Sequence, residues 1–282
     1  MPLPGRLTSE LVGELVDAGS REHYVDAALY DYEYRRRRAD VTFYRNLARE
    51  RNAAHILELG AGSGRVTLPL ARDGHRVVAL DQAPAMLAKL RERVAAAPAA
   101  VADRITVARG DLRGFDVRGE FPLVIAAFNV LEHLYTRGEV DACLRCVADH
   151  LAPGGVFAFD VQLPDLAWLI RDPTKRWAKT KFTDPSSGRA MFYSTNHDWD
   201  PINHIVLIRL YYEPVDGKGP TKIVKLAQRK FFPAEIEALI AHAGLRIVVR
   251  YGDFSGQPLD AGAESQVIVC ERAPVRKSRR GR

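Results

Sequence analysis

Three glycines at alternate positions, Gly60, Gly62 and Gly64, follow directly on the short apolar run Ile56-Leu57-Glu58-Leu59. Glycine is needed where backbone must take unusual dihedrals or let a ligand approach with no Cβ in the way. A strand feeding such a turn, and then a helix-compatible stretch, is the design of a nucleotide-cofactor cradle. Seventeen residues past Gly64, after a second apolar run at 77–80, comes Asp81. An acid at the tip of a second strand is placed to accept hydrogen bonds from a ribose diol. These residues imply an adenosine-containing cofactor. Side chains that could serve as a general base are His133, Tyr193, His197, His204 and Tyr211. His133 stands just past a fourth strand-like run, at the edge where open α/β sheets bind ligands.

Strand-like runs at 55–59, 76–80, 105–108, 122–128 and 155–161 are interleaved with helical segments at 65–72, 84–95 and 139–151. Such alternation implies parallel crossovers and a sheet covered on both faces. Pro84 suits the first turn of a helix continued by Met86, Leu87 and Leu90. Pro153-Gly154-Gly155 predicts a stop for the helix ending near Leu151 and a turn into the fifth strand.

Upstream, residues 8–51 read as helical, with apolar stripes at Leu11, Leu15 and Val16 and at Phe43, Tyr44, Leu47 and Ala48. Between them, residues 30–38 are rich in tyrosine and end in four arginines. A solvated face explains that run; a functional reading has Tyr24, Tyr30 or an arginine capping the cofactor. Beyond 161, a stretch rich in proline, aromatic and charged residues (164–188) leads to three β-like runs at 191–196, 204–213 and 222–232. Turn signals at Asp200-Pro201 and Asp216-Gly217 separate them, which fits an antiparallel meander. A helix at 234–243, stopped by Gly244, and two strands at 245–251 and 265–270 close the chain as a hairpin.

The net charge of +6 is confined to one end. Residues 272–282 carry six basic side chains and no acid, so residues 1–271 are formally neutral and offer no basic field to phosphates. Nucleic acid is therefore not the expected partner. No apolar run reaches the roughly twenty residues a membrane helix needs, and no basic-then-apolar leader is seen; cytoplasmic residence is expected. Cys143 and Cys146 form a C-x-x-C inside a helical pattern with no further ligands near, so a structural role is expected and no metal.

The nicotinamide fingerprint requires a glycine where this chain has Arg65. The G-x-G-x-G loop, with Glu58 two residues ahead, instead resembles motif I of the class I S-adenosylmethionine-dependent methyltransferases. The resemblance continues in order through Asp81-Gln82-Ala-Pro-Ala-Met86-Leu87, Gly110-Asp111-Leu112, the run 121–134 containing Phe128, Asn129 and Glu132-His133, and the run 151–160. Gln82 and Ala83 replace a more usual pair. A dehydrogenase is the alternative enzyme class, although no Tyr-x-x-x-Lys pair occurs.

The resemblance implies an α/β fold: a Rossmann-like seven-stranded methyltransferase sheet with an N-terminal helical cap and an antiparallel β insertion after strand five. Its implied divisions are a cap at 1–52, an S-adenosylmethionine-binding core at 53–162, an insertion and substrate region at 163–232, a closing helix and strand pair at 233–272, and a disordered basic tail at 273–282. The cofactor-binding residues it implies are Glu58, Gly60, Ala61, Gly62, Gly64 and Arg65 of the loop; Asp81 for the ribose; Gln82, Met86, Gly110, Asp111 and Leu112 around adenine; and Phe128 and Asn129 near the amino-acid end. Tyr30 would cover the cofactor from the cap.

No Asn/Asp-Pro-Pro-aromatic motif follows the fourth strand, and Glu132 has no second glutamate beside it. Both absences favour a small-molecule acceptor, and the layout is similar to glycine/sarcosine and amino-sugar N-methyltransferases. Nitrogen is preferred over oxygen as the acceptor atom, with His133, Tyr193 and His197 the catalytic candidates. The polar, aromatic cluster around Tyr193, Asn196, His197, Trp199 and His204 suits a pocket wall and equally a homodimer interface. A catalytically silent S-adenosylmethionine binder is the remaining reading.

Overall fold

A computed structural model describes residues 9–274 of the chain, with side chains from residue 12 onward. Its centre is a sheet in the order β10-β11-β5-β4-β1-β2-β3. The strands are β1 (His55–Leu59), β2 (Arg76–Asp81), β3 (Ile105–Arg109), β4 (Phe121–Ala126), β5 (Leu151–Gln162), β10 (Leu245–Tyr251) and β11 (Ser265–Arg272). The first five are mutually parallel, and β11 lies antiparallel between β5 and β10. The chain builds outward from β1 to β3, then returns to β4 on the other side of β1. Ligands bind at such a reversal, outside the carboxyl ends of the strands.

Alternate side chains of β1, β4 and β5 serve the two faces. Leu57, Val124 and Phe157 face Val140, Cys143 and Val147 of α7 (Arg137–His150) and Ile236 and Ile240 of α9 (Pro233–His242). Ile56, Leu123 and Val156 face Tyr44, Leu47 and Ala48 of α3 (Ala39–Glu50) and Leu70 of α4 (Thr67–Arg72). Double-sided burial explains why these strands read as continuous apolar runs. Cys143 is a core residue, and the half-buried Cys146 donates its S–H to the Phe115 carbonyl.

The fifth strand begins earlier than 155. Leu151 already pairs with Phe121, and the ladder resumes at Leu123 and Val156, so residues 152–155 form a bulge rather than a turn before the strand. Proline lacks a ladder donor and is tolerated at a bulge. A Cβ on Gly155 would lie 2.7 Å from the Phe121 carbonyl oxygen, so the close approach requires glycine.

The insertion has four strands, not three: β6 (Trp177–Thr183), β7 (Ala190–Asp200), β8 (Ile205–Pro214) and β9 (Lys222–Arg229), paired in that order. Strand β6 is almost wholly exposed, so it lacks the alternation by which a strand is read. The N-terminal helices grip this sheet from both faces. Leu29 of α2 (Ala27–Tyr34) packs with Val206 and Ile208, and Val12 of α1 (Ser9–Gly19) packs with Ile205 and Leu207. A Cβ on Gly19 would lie 2.6 Å from the Ala227 nitrogen, so glycine lets α1 end against β9. The Leu11 side chain and residues 275–282 of the expected tail lie outside the described residues; Ala273 is tied through its N–H to the Gly244 carbonyl. No helix among the described residues is long and apolar enough to cross a membrane.

Candidate active site

A cavity of about 850 Å³ runs along the carboxyl ends of β1 to β4, with α1, Tyr24 and Tyr30 closing it from the cap. Gly60, Gly62 and Gly64 all have positive φ, as the reversal after β1 demands. A Cβ on Gly60 would meet Val130 at 2.5 Å and one on Gly64 would meet Leu90 at 2.5 Å, whereas one on Gly62 would project into open space. Two of these glycines are thus needed for packing, and Gly62 for access to the cavity.

Asp81 ends β2 at the cavity wall. Its carboxylate accepts the Gly62 N–H at 2.7 Å and the Ala83 N–H at 2.7 Å, so it holds the loop in shape while facing the cleft. Burial pushes its carboxyl above the ordinary range, and these backbone donors oppose the shift. Asp111 also lines the cleft, where Arg113 engages it at 2.9 Å and lowers its carboxyl.

After β4 the backbone takes two consecutive left-handed residues, Phe128 (φ 71°) and Asn129 (φ 60°). Side-chain sterics make this conformation cost roughly 1–2 kcal/mol per residue. Asp160, at the end of β5, offsets that cost: its buried carboxylate accepts the Phe128 N–H at 2.8 Å, the Asn129 N–H at 3.0 Å and the Tyr44 hydroxyl at 2.6 Å. Burial pushes the Asp160 carboxyl up to about 6 against the pull of those donors. The Phe128 ring is fixed by Tyr34, edge-on at 4.8 Å, and by the Arg65 guanidinium at 4.9 Å.

Tyr24 and His133 meet at 2.6 Å across the cavity wall. The Tyr135 hydroxyl donates to the Ala227 carbonyl at 3.1 Å, so it accepts from His133 Nδ1 at 3.2 Å. That assigns the His133 proton to Nδ1 and leaves Nε2 to accept from Tyr24. Burial pushes the His133 ring down to about 4, aided by His23 and Lys230, so the imidazole is neutral at physiological pH. Burial likewise raises the Tyr24 phenol, which keeps its proton. The cap itself is latched to the glycine loop. Asp31 of α2 accepts from Ser63 and, at 2.7 Å, from Arg93, while Asp40 of α3 accepts from Arg65 at 2.9 Å.

Eleven of the site residues proposed from the sequence line this cavity: Tyr24, Tyr30, Gly60, Gly62, Asp81, Gln82, Met86, Asp111, Leu112, Phe128 and His133. Others support it from behind. Glu58 is 2% exposed and lies behind the loop, where it accepts the Thr67 hydroxyl at 2.6 Å and burial lifts its carboxyl to about 8. Gly110 touches Leu80 closely, Gly64 packs on Leu90, Arg65 pairs with Asp40, Asn129 donates to Asp160, and Ala61 is core.

Two catalytic candidates, His197 and Tyr193, are not among the residues lining this cavity. His197 is buried in the insertion, stacked on Trp168 at 4.0 Å and bonded through Nε2 to its carbonyl. Tyr193 packs beside Tyr212 within the same sheet. His204 pairs with Glu235, and the Tyr211 hydroxyl donates to Asn196. Strand alternation puts Tyr193 and His197 on one face of β7, whereas His204 lies in the turn before β8 and reaches α9. Asp160, Tyr44, Asp31 and Tyr24's pairing with His133 carried no comparable signal, apart from an acid ending an all-apolar fifth strand.

Residues 56–155 match the methyltransferase domain family. The chain is 30% identical to YqeM of Bacillus subtilis (strain 168), a methyltransferase by assignment, over 223 residues that make up 77% of this chain and 84% of that protein. It belongs to the class I S-adenosylmethionine-dependent methyltransferases. A further relative is the dTDP-3-amino-3,4,6-trideoxy-alpha-D-glucopyranose N,N-dimethyltransferase of Streptomyces venezuelae, 26% identical over 233 residues, 79% of this chain and 90% of that one. Among solved structures, the CcbJ methyltransferase from Streptomyces caelestis superposes with a TM-score of 0.75 at 26% identity, covering 90% of this chain and 99% of its own. S-adenosylmethionine-bound CalS10, an amino pentose methyltransferase from Micromonospora echinaspora, shares the fold with a TM-score of 0.64 at 22% identity, over 86% and 95% of the two chains.

This methyltransferase uses S-adenosylmethionine as its methyl donor, which sets aside the nicotinamide alternative. The cleft fits that cofactor on its own terms. Its volume lies in the range of small-ligand sites, the space in front of Gly62 is open, and the Asp81 oxygens each retain a lone pair beyond the backbone bond they accept.

Proposed function

We propose that this methyltransferase acts on a small molecule and methylates it at nitrogen. The observation that carries the choice of atom is the Tyr24–His133 pair at 2.6 Å, with the imidazole held near a pKa of about 4. A hydroxyl acceptor needs a base strong enough to take its proton as it attacks, and so weak a base is mismatched to that task. An amine in its free-base form carries its own lone pair, and asks only to be bound, desolvated and aligned. The Streptomyces venezuelae relative, an N,N-dimethyltransferase by name, supports the same choice.

S-adenosylmethionine supplies an electrophilic methyl on a sulfonium. In this reading Asp81 holds the ribose hydroxyls, Asp111, Leu112 and Met86 bracket the adenine, and Gly62 gives access to the methionine portion. Phe128, locked by Asp160 through its backbone, closes the inner wall. Tyr24 and Tyr30 line the same space, and in this reading their hydroxyl oxygens accept from the amine. Tyr24 is oriented by His133, which is in turn oriented by Tyr135.

The deciding experiment offers matched amines and alcohols of the same carbon skeleton with S-adenosylmethionine, and follows S-adenosylhomocysteine release and product mass. N-methyl products from the amines, with the alcohols inert, are expected. Comparable turnover of the alcohols would sink the assignment to nitrogen.

A further inference from the structure

A second cavity, of about 320 Å³, lies between α2 and the strands β8 and β9. Val25 and Tyr30 line both cavities, so the two share a wall. Three features set the smaller one apart. Its rim carries two large apolar side chains left unusually open, Val25 at 70% and Ile223 at 51% exposure. Its interior carries Glu33, which accepts the Tyr212 hydroxyl at 2.6 Å through Oε1 and forms no ion pair among the described residues. The neighbouring carboxylates differ in this respect, since Asp26 pairs with Lys222 at 2.9 Å and Glu22 with Lys225 at 3.4 Å.

The third feature is independent of the acids. His23, only 6% exposed, lines this cavity; its Nε2 shares a hydrogen bond with the Tyr34 hydroxyl at 3.2 Å, while Nδ1 has no partner among the described residues. That nitrogen is not one of the fully buried atoms without a partner, so it is open to water or to a ligand. Burial pushes this ring down to about 4, so it is neutral and its free nitrogen is not a competing positive charge. Burial also holds the Glu33 carboxyl above its ordinary range, with Asp26 adding to the effect and Lys222 opposing it from beyond pairing distance. An uncompensated carboxylate in a concave, partly apolar site is the arrangement that a bound cation completes.

We infer that this second cavity anchors the non-reacting part of the acceptor, and that it takes an apolar body carrying a protonated nitrogen remote from the one that is methylated. The inference rests on the small-amine reading above and extends it to a substrate class, amphipathic molecules with two basic nitrogens. The ammonium donates to Glu33, the apolar body lies between Val25 and Ile223, and the reactive nitrogen passes Tyr30 into the larger cleft.

The test uses the full chain saturated with S-adenosylhomocysteine at neutral pH, titrated in a calorimeter with phenethylamine and with its neutral analogue 2-phenylethanol. Phenethylamine is expected to bind about tenfold more tightly than the alcohol, a margin of about 1.4 kcal/mol. Glu33→Gln, which can still accept from Tyr212, is expected to erase that margin, and Ile223→Ser to weaken both probes together. Equal binding of the two probes, an unchanged margin in Glu33→Gln, or displacement of S-adenosylhomocysteine by phenethylamine would each overturn the assignment. Melting curves of both variants separate loss of binding from loss of fold. S-adenosylhomocysteine affinity and the amine-against-alcohol turnover assay report on the methyltransferase reading separately, so the two can fail independently.

Discussion

Glu132 and Lys230 form an ion pair of 2.6 Å in which both side chains are almost wholly buried, 0% and 3% exposed respectively. The pair joins the turn that carries His133 to the chain leaving β9. It is well satisfied: Glu132 also accepts the Gln162 N–H at 2.8 Å, and the Lys230 ammonium also donates to the side-chain carbonyls of Gln162 and Gln228. Removing one partner strands a buried charge, whereas replacing both need not. Lys230→Met is therefore expected to lower unfolding free energy by roughly 3–5 kcal/mol, and Glu132→Leu with Lys230→Met to recover much of it. Urea titrations of the wild type and the two variants check this; a double mutant worse than the single would show that the stranded Glu132 is not the source of the loss.

The two cap-facing histidines make stability pH-dependent. His23 and His133 are both held down to about 4 by burial, below the 6.5 of a free imidazole. A depressed basic group binds fewer protons folded than unfolded, so its contribution is complete above pH 6.5 and is lost as pH falls toward 4. Each adds up to about 1.4 kcal/mol per pH unit within that window. The buried carboxyls of Glu58 and Asp160, pushed up to about 8 and about 6, act in the opposite sense, so the difference is the test: from pH 7.5 to 4.5 the denaturant midpoint of the wild type is expected to fall relative to that of His133→Gln. An identical slope in the variant would refute the neutral, buried state of His133.

Gly60 and Gly62 share a conformation and differ in surroundings, which separates fold from binding. Gly62→Ala meets open space, so its stability cost is the left-handed backbone, about 1–2 kcal/mol, while S-adenosylhomocysteine affinity falls steeply. Gly60→Ala adds a clash with Val130 at 2.5 Å and is expected to lose more stability. Melting temperature and S-adenosylhomocysteine affinity, measured together, decide it; the reverse ranking in stability would contradict the loop geometry.

Asp160→Asn tests the clamp behind Phe128. An amide offers one oxygen to three donors, and its NH₂ then faces N–H groups. Leaving a buried donor unsatisfied costs about 1–3 kcal/mol, and the freed turn is expected to weaken S-adenosylhomocysteine binding as well. Wild-type affinity with only a lowered melting point would show that the strained turn does not shape the cleft.

The cofactor fold was legible because its signals are local. Apolar runs of strand length, glycines at 60, 62 and 64, and an acid at 81 are each set by neighbours within a few residues, and their order implies the parallel sheet. Strand β6 escaped notice for the converse reason: its exposed side chains carry no alternation, and only backbone pairing with β7 makes it a strand. The choice among histidines was beyond the sequence altogether. His133 and His197 are equally plausible as residues, and only tertiary packing puts Tyr24, 109 positions away, against one and Trp168 over the other. The same holds for Tyr44 with Asp160, 116 positions apart, and for Lys230 with Glu132, 98 apart. Periodicity and turn chemistry fix elements and a cofactor loop, but the protonation and aim of a side chain depend on burial by distant chain, which only the folded arrangement supplies.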